Sequence, residues 1–354
     1  TSLSGGLDSA TLAALIAGEK EALPATWSHR AFTAGFPGFE KDETQAAATV
    51  ARLLQLQHHI VTPTLESFFA DWEQLCYYQE QPFGSASVYA QYKVMELARQ
   101  QGVTVLLDGQ GADEILAGYT KYVHWYLQEQ LGRFRYGFAM QERIRLQQNG
   151  VPFEWGPANY LAALFPIVAT AHLEEVERKK ILVHPHLNKD YAAAHYDKVY
   201  SVYKPPVSKL NDILYFNTMQ LGLGELLHYA DRNSMAHGLE VRLPYLSHEL
   251  VEFVFSLPSH FKIHNGFTKW LLRTVADPLL PPEIVWNPLK TGYEPPQKQW
   301  MEHPALRERI VESRHKLVQA GILDAKAAER PIKARSAYEA DNYDWRYLCV
   351  AQML

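Results

Sequence analysis

The feature that most constrains the fold is a thirteen-residue stretch, Leu106 to Gly118, which reads LLDGQGADEILAG. It overlaps the end of an apolar run, Val103 to Leu107, whose composition is typical of a buried strand. Two glycines, Gly109 and Gly111, then turn the chain towards acidic residues and an apolar, helix-like stretch. A strand that ends in Gly-x-Gly beside carboxylates is typical of a binding site at the carboxyl edge of an open α/β sheet.

A second glycine loop, Ser4 to Ser9 with the sequence SGGLDS, precedes an Ala- and Leu-rich helix near the start of the chain. Its glycines allow backbone N–H groups to approach an anion, and the first turn of the helix adds unpaired donors and a partial positive charge. The loop has no Walker-type lysine, so its aspartate suggests a Mg²⁺ ion held between carboxylate and phosphates. The predicted cofactor-binding residues here are Ser4, Gly5, Gly6, Asp8 and Ser9.

The two loops are predicted to share one nucleotide and one metal ion. Asp113 is the natural second carboxylate for the ion that Asp8 binds, since neighbouring parallel strands end at one edge of a sheet. Asp108 and Gly109 leave room for a ribose or an α-phosphate. An ordinary glycine turn, with Asp113 as a solvated loop acid, is the competing interpretation of either loop alone. The two loops together favour the nucleotide site.

Strands and helices alternate over residues 1–120, which predicts an α/β fold with a parallel twisted sheet and helices on both faces. Residues 121–354 are predicted to form a mainly helical half that packs directly on this core, because no flexible linker separates them. Leu210 to Tyr229 is predicted as one long helix and Asp231 to Leu246 as irregular. The predicted strands are Arg30 to Phe36, His59 to Thr62 and Val103 to Leu107, and the predicted helices between them are Asp42 to Gln57, Thr64 to Tyr78 and Ser87 to Gln101.

Composition and charge exclude several classes of protein. With 34 basic and 39 acidic residues the formal net charge is −5, which argues against nucleic acid as the main partner. No apolar run approaches the ~20 residues of a membrane span, and the first residues do not resemble a signal peptide. The two cysteines, Cys76 and Cys349, are expected to be reduced core thiols. We therefore expect a cytoplasmic protein without membrane or nucleic-acid partners, and a homodimer is left open.

Both glycine loops resemble those of the asparagine synthetase family, within the ATP pyrophosphatase group of adenylating enzymes. The resemblance continues in the same order along the chain as far as Lys290, which lies where that family has a catalytic lysine. The further matching segments are AFTAGF at residues 31–36, DRNSMAHGLEVRLPYL at residues 231–246, Lys269 with Leu272 and Arg273, and LPPEIVW at residues 280–286.

This resemblance implies an adenine nucleotide alpha hydrolase-like fold and a reaction that uses ATP and Mg²⁺. A substrate carboxylate, expected to be that of L-aspartate, would attack the α-phosphate of ATP and release pyrophosphate, and ammonia would then convert the acyl-adenylate into the amide and AMP. Thr33, Ala34 and Gly35 correspond to the segment that holds adenine, and Lys290 and Asp113 to catalytic residues.

The signature at residues 231–246 carries two charged pairs with two open interpretations. Asp231 with Arg232, and Glu240 with Arg242, could orient the charged groups of the substrate. Alternatively, they form an ion-pair network that holds the helical half on the sheet.

Two departures from the family pattern bear on the activity. Gln110 stands where typical asparagine synthetases have glutamate, and where β-lactam-forming relatives have an aromatic residue. Glutamine can form hydrogen bonds but cannot take up a proton, so Gln110 leaves the acceptor open while adenylation is unaffected. Amidation or cyclisation of another carboxylate, as in polysaccharide or secondary metabolism, and a non-catalytic nucleotide-binding module are the alternatives.

The second departure concerns the source of ammonia. Thr1 leads directly into the first glycine loop, whereas full-length family members begin with a glutaminase domain. We therefore expect upstream sequence to be missing, and ammonia to come from such a domain or from a separate source.

Overall fold

The structure, a computed structural model, describes residues 1–22, 24, 27–196, 207–288 and 294–354, with the side chain of Arg178 excluded. Strands and helices alternate in the first part of the chain, as predicted. The elements there are α1 (Leu7–Gly18), β1 (Arg30–Ala34), α2 (Thr44–Leu53), β2 (Gln57–Val61), α3 (Leu65–Gln79), α4 (Ser87–Gln100), β3 (Val105–Leu107) and α5 (Ala112–Ile115).

The remainder of the described chain is mainly helical. Its helices up to residue 256 are α6 (Tyr122–Gly132), α7 (Tyr136–Gln148), α8 (Pro157–Leu164), α9 (Pro166–Lys179), α10 (Lys189–His195), α11 (Leu210–Met219), α12 (Leu223–Ala236) and α13 (His248–Ser256). The later helices are α14 (Trp270–Ala276), α15 (Pro282–Val285), α16 (Gln297–Glu302), α17 (Pro304–Gln319), α18 (Lys326–Glu329) and α19 (Tyr343–Ala351). Three short strands accompany them, β4 (Glu240–Arg242), β5 (Ile263–His264) and β6 (Phe267–Thr268).

The predicted parallel sheet is present as two parallel pairs rather than as one continuous sheet. β1 pairs with β2 in the register Arg30 to Gln57, and β3 pairs with β4 in the register Val105 to Glu240. The first residues of the chain run between the pairs, since Ser2 forms a parallel bridge with Phe32 and donates a backbone hydrogen bond to Leu107. Backbone hydrogen bonds of residues 1–3 thus connect the two pairs, and the twist of one continuous sheet stays a prediction.

Strand β4 corrects the prediction that residues 231–246 are irregular. This segment comprises the end of α12, then β4, then a short 3-10 helix, Pro244–Leu246. Three residues are too few for a recognisable alternation, and pairing with β3 is what makes Glu240–Arg242 a strand. The prediction of one long helix at residues 210–229 was also wrong, because the chain turns at Gly222, whose φ of +104° separates α11 from α12.

The largest core joins early and late parts of the chain. Phe68 of α3 lies 5.9 Å from Trp300 of α16 and 5.5 Å from Trp345 of α19, measured between ring centroids. Both cysteines are free and buried in this core, as expected. Within the described ranges, no helix combines the length and apolarity that a membrane crossing requires.

Candidate active site

The first glycine loop is closed by hydrogen bonds between Ser4 and Ser9. Ser4 Oγ lies 3.1 Å from Ser9 Oγ, and Ser9 Oγ also accepts a hydrogen bond from the backbone nitrogen of Ser4 at 3.2 Å. Helix α1 starts directly after Gly6. The loop therefore presents the start of a helix together with two hydroxyl groups, which is the arrangement that binds anions.

The second glycine loop lies in close contact with the first, at Gly109. A Cβ atom added to Gly109 would lie 3.2 Å from the backbone nitrogen of Ser9 and 3.3 Å from the carbonyl carbon of Asp8. Any larger residue at position 109 would thus require the first loop to shift by a few tenths of an ångström. The two loops are therefore in direct contact, and the nucleotide and metal that they were predicted to share stay a prediction.

Asp8 and Asp113 are brought together, and the ammonium group of Lys269 lies between them. Lys269 Nζ is 2.7 Å and 2.6 Å from the two carboxylate oxygens of Asp8, and 2.6 Å from Asp113 Oδ1. The side chain of Lys269 is 7% exposed, that of Asp8 20% and that of Asp113 13%. The motif containing Lys269 was noted in the sequence, but its place between the two carboxylates was not predicted.

The surroundings of Lys269 keep it charged and close to both acids. Burial alone would lower the pKa of Lys269, but Asp113 and Asp8 together raise it above its ordinary value. The lysine lies at the left-handed φ of +53°, just before α14. A Cβ atom at Gly118 would overlap both the Asp113 carboxylate and the Lys269 side chain, so glycine leaves the space for this ion pair.

Asp108 and Gln110 occupy the turn between β3 and α5. Burial raises the pKa of the Asp108 carboxyl, while hydrogen bonds from the side chain of Ser2 and from the backbone of Gly109 and Gln110 lower it in part. The side-chain oxygen of Gln110 is buried and has no hydrogen-bond partner among the described residues. It is therefore an acceptor available to a ligand that carries an N–H or O–H group.

A cavity of about 600 Å³ contains these groups, a volume within the range of small-molecule sites. Every predicted residue of the two loops lines it. Later parts of the chain complete its walls with Thr268, Lys269, Arg273, Glu283, Ile284, Asn287, Pro288 and Tyr338.

The predicted adenine segment lies beside this cavity. Phe32 is the residue of β1 found among the described lining residues. Thr33 is 1% exposed and its hydroxyl donates a hydrogen bond to the carbonyl of Leu3 at 2.6 Å. The roles predicted for Thr33, Ala34 and Gly35 stay predictions.

The two charged pairs of the signature lie outside the described lining of the cavity. Arg232 pairs with Glu80 of the α3 end at 2.9 Å, Arg242 pairs with Glu240 at 2.6 Å, and Asp231 is exposed. Their predicted contact with a substrate stays a prediction.

Lys290 lies outside the described residues, but the segment before it is anchored. The guanidinium of Arg273 donates hydrogen bonds to the carbonyls of Val285 and Asn287, the latter at 2.9 Å. Burial lowers the pKa of Arg273 to about 10, with Asp8 opposing this shift. Arg273 thereby fixes the chain where it leads towards Lys290.

Comparison with known proteins gives consistent matches. The asparagine synthase family profile matches residues 1–354, the whole chain. The chain is 26% identical over 359 residues to the glutamine-hydrolyzing asparagine synthetase 1 of Bacillus subtilis (strain 168), covering 95% of this chain and 54% of the relative. It is 25% identical over 299 residues to synthetase 3 of the same organism, covering 81% of this chain and 43% of the relative.

A third relative carries a different name. The amidase chry2 of Gibberella zeae is 24% identical over 371 residues, covering 92% of this chain and 54% of the relative. The chain thus spans about half the length of the curated relatives it matches. Since the family profile spans the chain from the first glycine loop to the last helix, the chain belongs to the asparagine synthase family.

Proposed function

We propose that this chain is the synthetase part of an ATP-dependent amide-forming ligase. Its substrate carboxylate attacks the α-phosphorus of ATP, the bond to pyrophosphate breaks, and ammonia then displaces AMP from the acyl carbon. The observation that supports this proposal best is the Asp8–Lys269–Asp113 cluster between two glycine loops that line one cavity. The cluster offers a positive lysine and two carboxylates beside the backbone N–H groups at the start of α1, and these groups can stabilise the charge that develops when pyrophosphate leaves.

We assign the phosphate groups to the first loop and to the lysines. The start of α1 and the hydroxyls of Ser4 and Ser9 bind phosphate oxygens, and Lys269 offsets the charge of the leaving pyrophosphate. Lys290, which follows Asn287 by three residues in the sequence, adds a second positive charge in this proposal. The region of Asp108 and Gly109 accommodates the ribose and α-phosphate.

Asp8 and Asp113 fit a Mg²⁺ ion as well as a lysine. Oxygens of both carboxylates lie 2.6 Å from one nitrogen atom, so they are already directed at a common cation. Among the described residues no group of three or more metal-binding side chains occurs, which leaves phosphate oxygens and water to complete the shell, as Mg²⁺ prefers. When bound there, Mg²⁺ supplies charge neutralisation of the phosphates.

We assign Gln110 to the ammonia step. Its buried side-chain oxygen can accept a hydrogen bond from ammonia and so hold the nucleophile beside the acyl group. It cannot remove a proton, so the proton that ammonia loses on forming the amide passes to another group.

The proposed acceptor is L-aspartate, with asparagine as the product, and the ammonia comes from a glutaminase domain of a longer protein. A different carboxylate is the second candidate for the acceptor, because Gln110 is a neutral amide where typical family members have glutamate. A binding module without catalysis is the third, and pyrophosphate release separates it from both enzymes.

The test measures pyrophosphate release from MgATP with ammonium, with and without L-aspartate, and follows asparagine by chromatography. We expect release that depends on aspartate, and a loss of at least about a hundredfold in Asp8→Asn, because the variant removes one charge from the cluster. Asp190→Asn, which makes the same change on the exposed start of α10, is the matched control. Undiminished release in Asp8→Asn would refute the proposed role of the cluster.

The acceptor is then decided on the same protein. A panel of other carboxylates is tested in the same assay. If pyrophosphate is released without asparagine, and the amide of another carboxylate forms instead, that carboxylate replaces aspartate as the proposed acceptor.

A further inference from the structure

Three carboxamides, two of them fully buried, form a chain of hydrogen bonds that ends at the wall of the cavity. Gln79 Nε2 of α3 donates to Asn233 Oδ1 of α12 at 2.7 Å. Asn233 Nδ2 in turn donates to the backbone carbonyl of Val88 at 2.9 Å and to Gln91 Oε1 of α4 at 3.0 Å. Gln79 and Asn233 are each 0% exposed, whereas Gln91 lines the cavity.

This chain fixes the orientation of every amide in it. A backbone carbonyl can only accept, so the atom of Asn233 that faces Val88 is its nitrogen. The same nitrogen faces Gln91, and the atom of Gln91 that meets it must therefore be the side-chain oxygen. The oxygen of Gln91 is thus engaged by Asn233, and its carboxamide offers an N–H donor to the cavity.

Gln91 lies at the edge of the apolar part of the cavity. Val94 and Met95 follow it by three and four residues along α4, so the three side chains share one face of the helix. Leu3 and Phe32 add to this apolar wall, and all four apolar residues are at most 3% exposed. The charged lining residues lie elsewhere, in the glycine loops, in the segment from Glu40 to Glu43 and on the later parts of the chain around Lys269. The flat, weakly polar part of a nucleotide therefore matches the apolar α4 wall best.

We propose that Gln91 donates a hydrogen bond from Nε2 to a ring nitrogen of the ATP adenine, and that Asn233 is the positioning residue that imposes this orientation. The proposal rests on the proposed use of ATP and adds a base-binding residue to it. Adenine ring nitrogens have lone pairs and accept hydrogen bonds, so a donor of fixed direction is complementary to them. A freely rotating glutamine would offer its oxygen equally well.

The experiment compares two ligands, MgATP and inorganic pyrophosphate, by isothermal titration calorimetry. Pyrophosphate has no base, so it reports on the phosphate end of the site alone. Gln91→Met removes the donor and keeps the length of the side chain. We expect ATP affinity to fall about five- to tenfold, the value of one neutral hydrogen bond, with pyrophosphate affinity unchanged.

Gln79→Met is the matched control, because it removes an amide of the same network on the far side of Asn233. Val88 still fixes Asn233 in this variant, so we expect ATP affinity within twofold of wild type. Asn233→Asp replaces the donor towards Gln91 by a carboxyl group, which in its ionised form only accepts, so that Gln91 turns its own N–H towards it. We expect ATP affinity to fall in this variant as in Gln91→Met, with little further loss in the double variant.

Each outcome decides between the proposals. Unchanged ATP affinity in Gln91→Met, or equal losses for ATP and pyrophosphate, would overturn the role of Gln91. Wild-type protein that binds no ATP would instead overturn the proposed function itself.

Discussion

A single ammonium group, that of Lys269, occupies the place predicted for a metal ion between Asp8 and Asp113. At the scale of residues, the sequence predicted both carboxylates, because each follows a glycine turn with a recognisable pattern. It did not predict the lysine between them, because residue 269 comes close to Asp8 only through the packing of α14 on α1. Two acids that face each other in a partly buried site both stay ionised only with a cation between them, whether lysine or Mg²⁺.

We expect a variant without the Lys269 ammonium to bind Mg²⁺ between Asp8 and Asp113 in the absence of nucleotide. Lys269→Met leaves two carboxylates without their shared cation, and we expect the free energy of unfolding to fall by about 3 kcal/mol. Added Mg²⁺ should recover much of this loss in the variant while changing wild-type stability little, because the ammonium no longer competes. Urea unfolding with and without Mg²⁺, in the absence of nucleotide, measures both effects.

Lys93→Met is the matched control for this prediction. Lys93 also lies between two acids, Asp71 at 3.0 Å and Glu96, but away from the cavity. We expect a smaller loss and little recovery with Mg²⁺, since those acids are more exposed. An equal response to Mg²⁺ in wild type and Lys269→Met would contradict the assignment of Asp8 and Asp113 to the metal.

At the scale of elements, local rules predicted starts and stops better than pairings. The helix predicted from Thr64 to Tyr78 does begin there, because the Thr64 hydroxyl caps α3 by accepting a hydrogen bond from the backbone of Ser67 at 3.2 Å. Strand β4 was missed, because its conformation depends on β3, more than a hundred residues earlier in the chain. A helix cap is a contact between residues at most four positions apart, so the local sequence can predict it. A strand needs a partner strand, which the local sequence does not identify.

The end of α13 is held by Lys262, whose contribution to stability is expected to depend on pH. Lys262 is fully buried, and its ammonium donates to the carbonyls of Val254 at 2.7 Å and Leu257 at 3.1 Å. Burial lowers the pKa of Lys262 from its ordinary 10.5 to about 8, and Glu129 opposes the shift. Between these values the unfolded chain holds the proton more tightly than the folded protein, so the contribution of Lys262 to stability rises with pH.

We therefore compare wild type with Lys262→Met by denaturant unfolding at pH 7.5 and at pH 10.5. The stability of wild type relative to the variant should increase at the higher pH, by at most about 3 kcal/mol. Buried tyrosines titrate in both proteins and cancel in the difference. A difference that does not change with pH, or that falls, would show that Lys262 stays charged in the folded protein.

At the scale of the whole molecule, the division at residue 120 stays a prediction, but the two parts share a sheet and a cavity. β3 belongs to the first part and β4 to the second. The cavity is lined from residue 2 to residue 338. We propose that residues 1–120 and 121–354 unfold as one cooperative unit in which both depend on the same contacts.

Ligand binding tests this directly. We expect one calorimetric transition, which MgATP at a hundred times its dissociation constant stabilises by about 2.7 kcal/mol. Hydrogen exchange should then slow in β3 and in β4 to a similar degree. Two transitions, only one of which moves with MgATP, would show that the parts fold independently.

The sequence by itself determined the family, the two glycine loops and the acids they carry. These features rest on backbone freedom and on residue types within a few positions of one another, which a linear pattern records fully. The tertiary structure decided which cation lies between Asp8 and Asp113, which strand pairs with β3 and which amide faces the cavity from α4. Those outcomes depend on contacts between residues more than a hundred positions apart, and only the packing of the folded chain sets such distances.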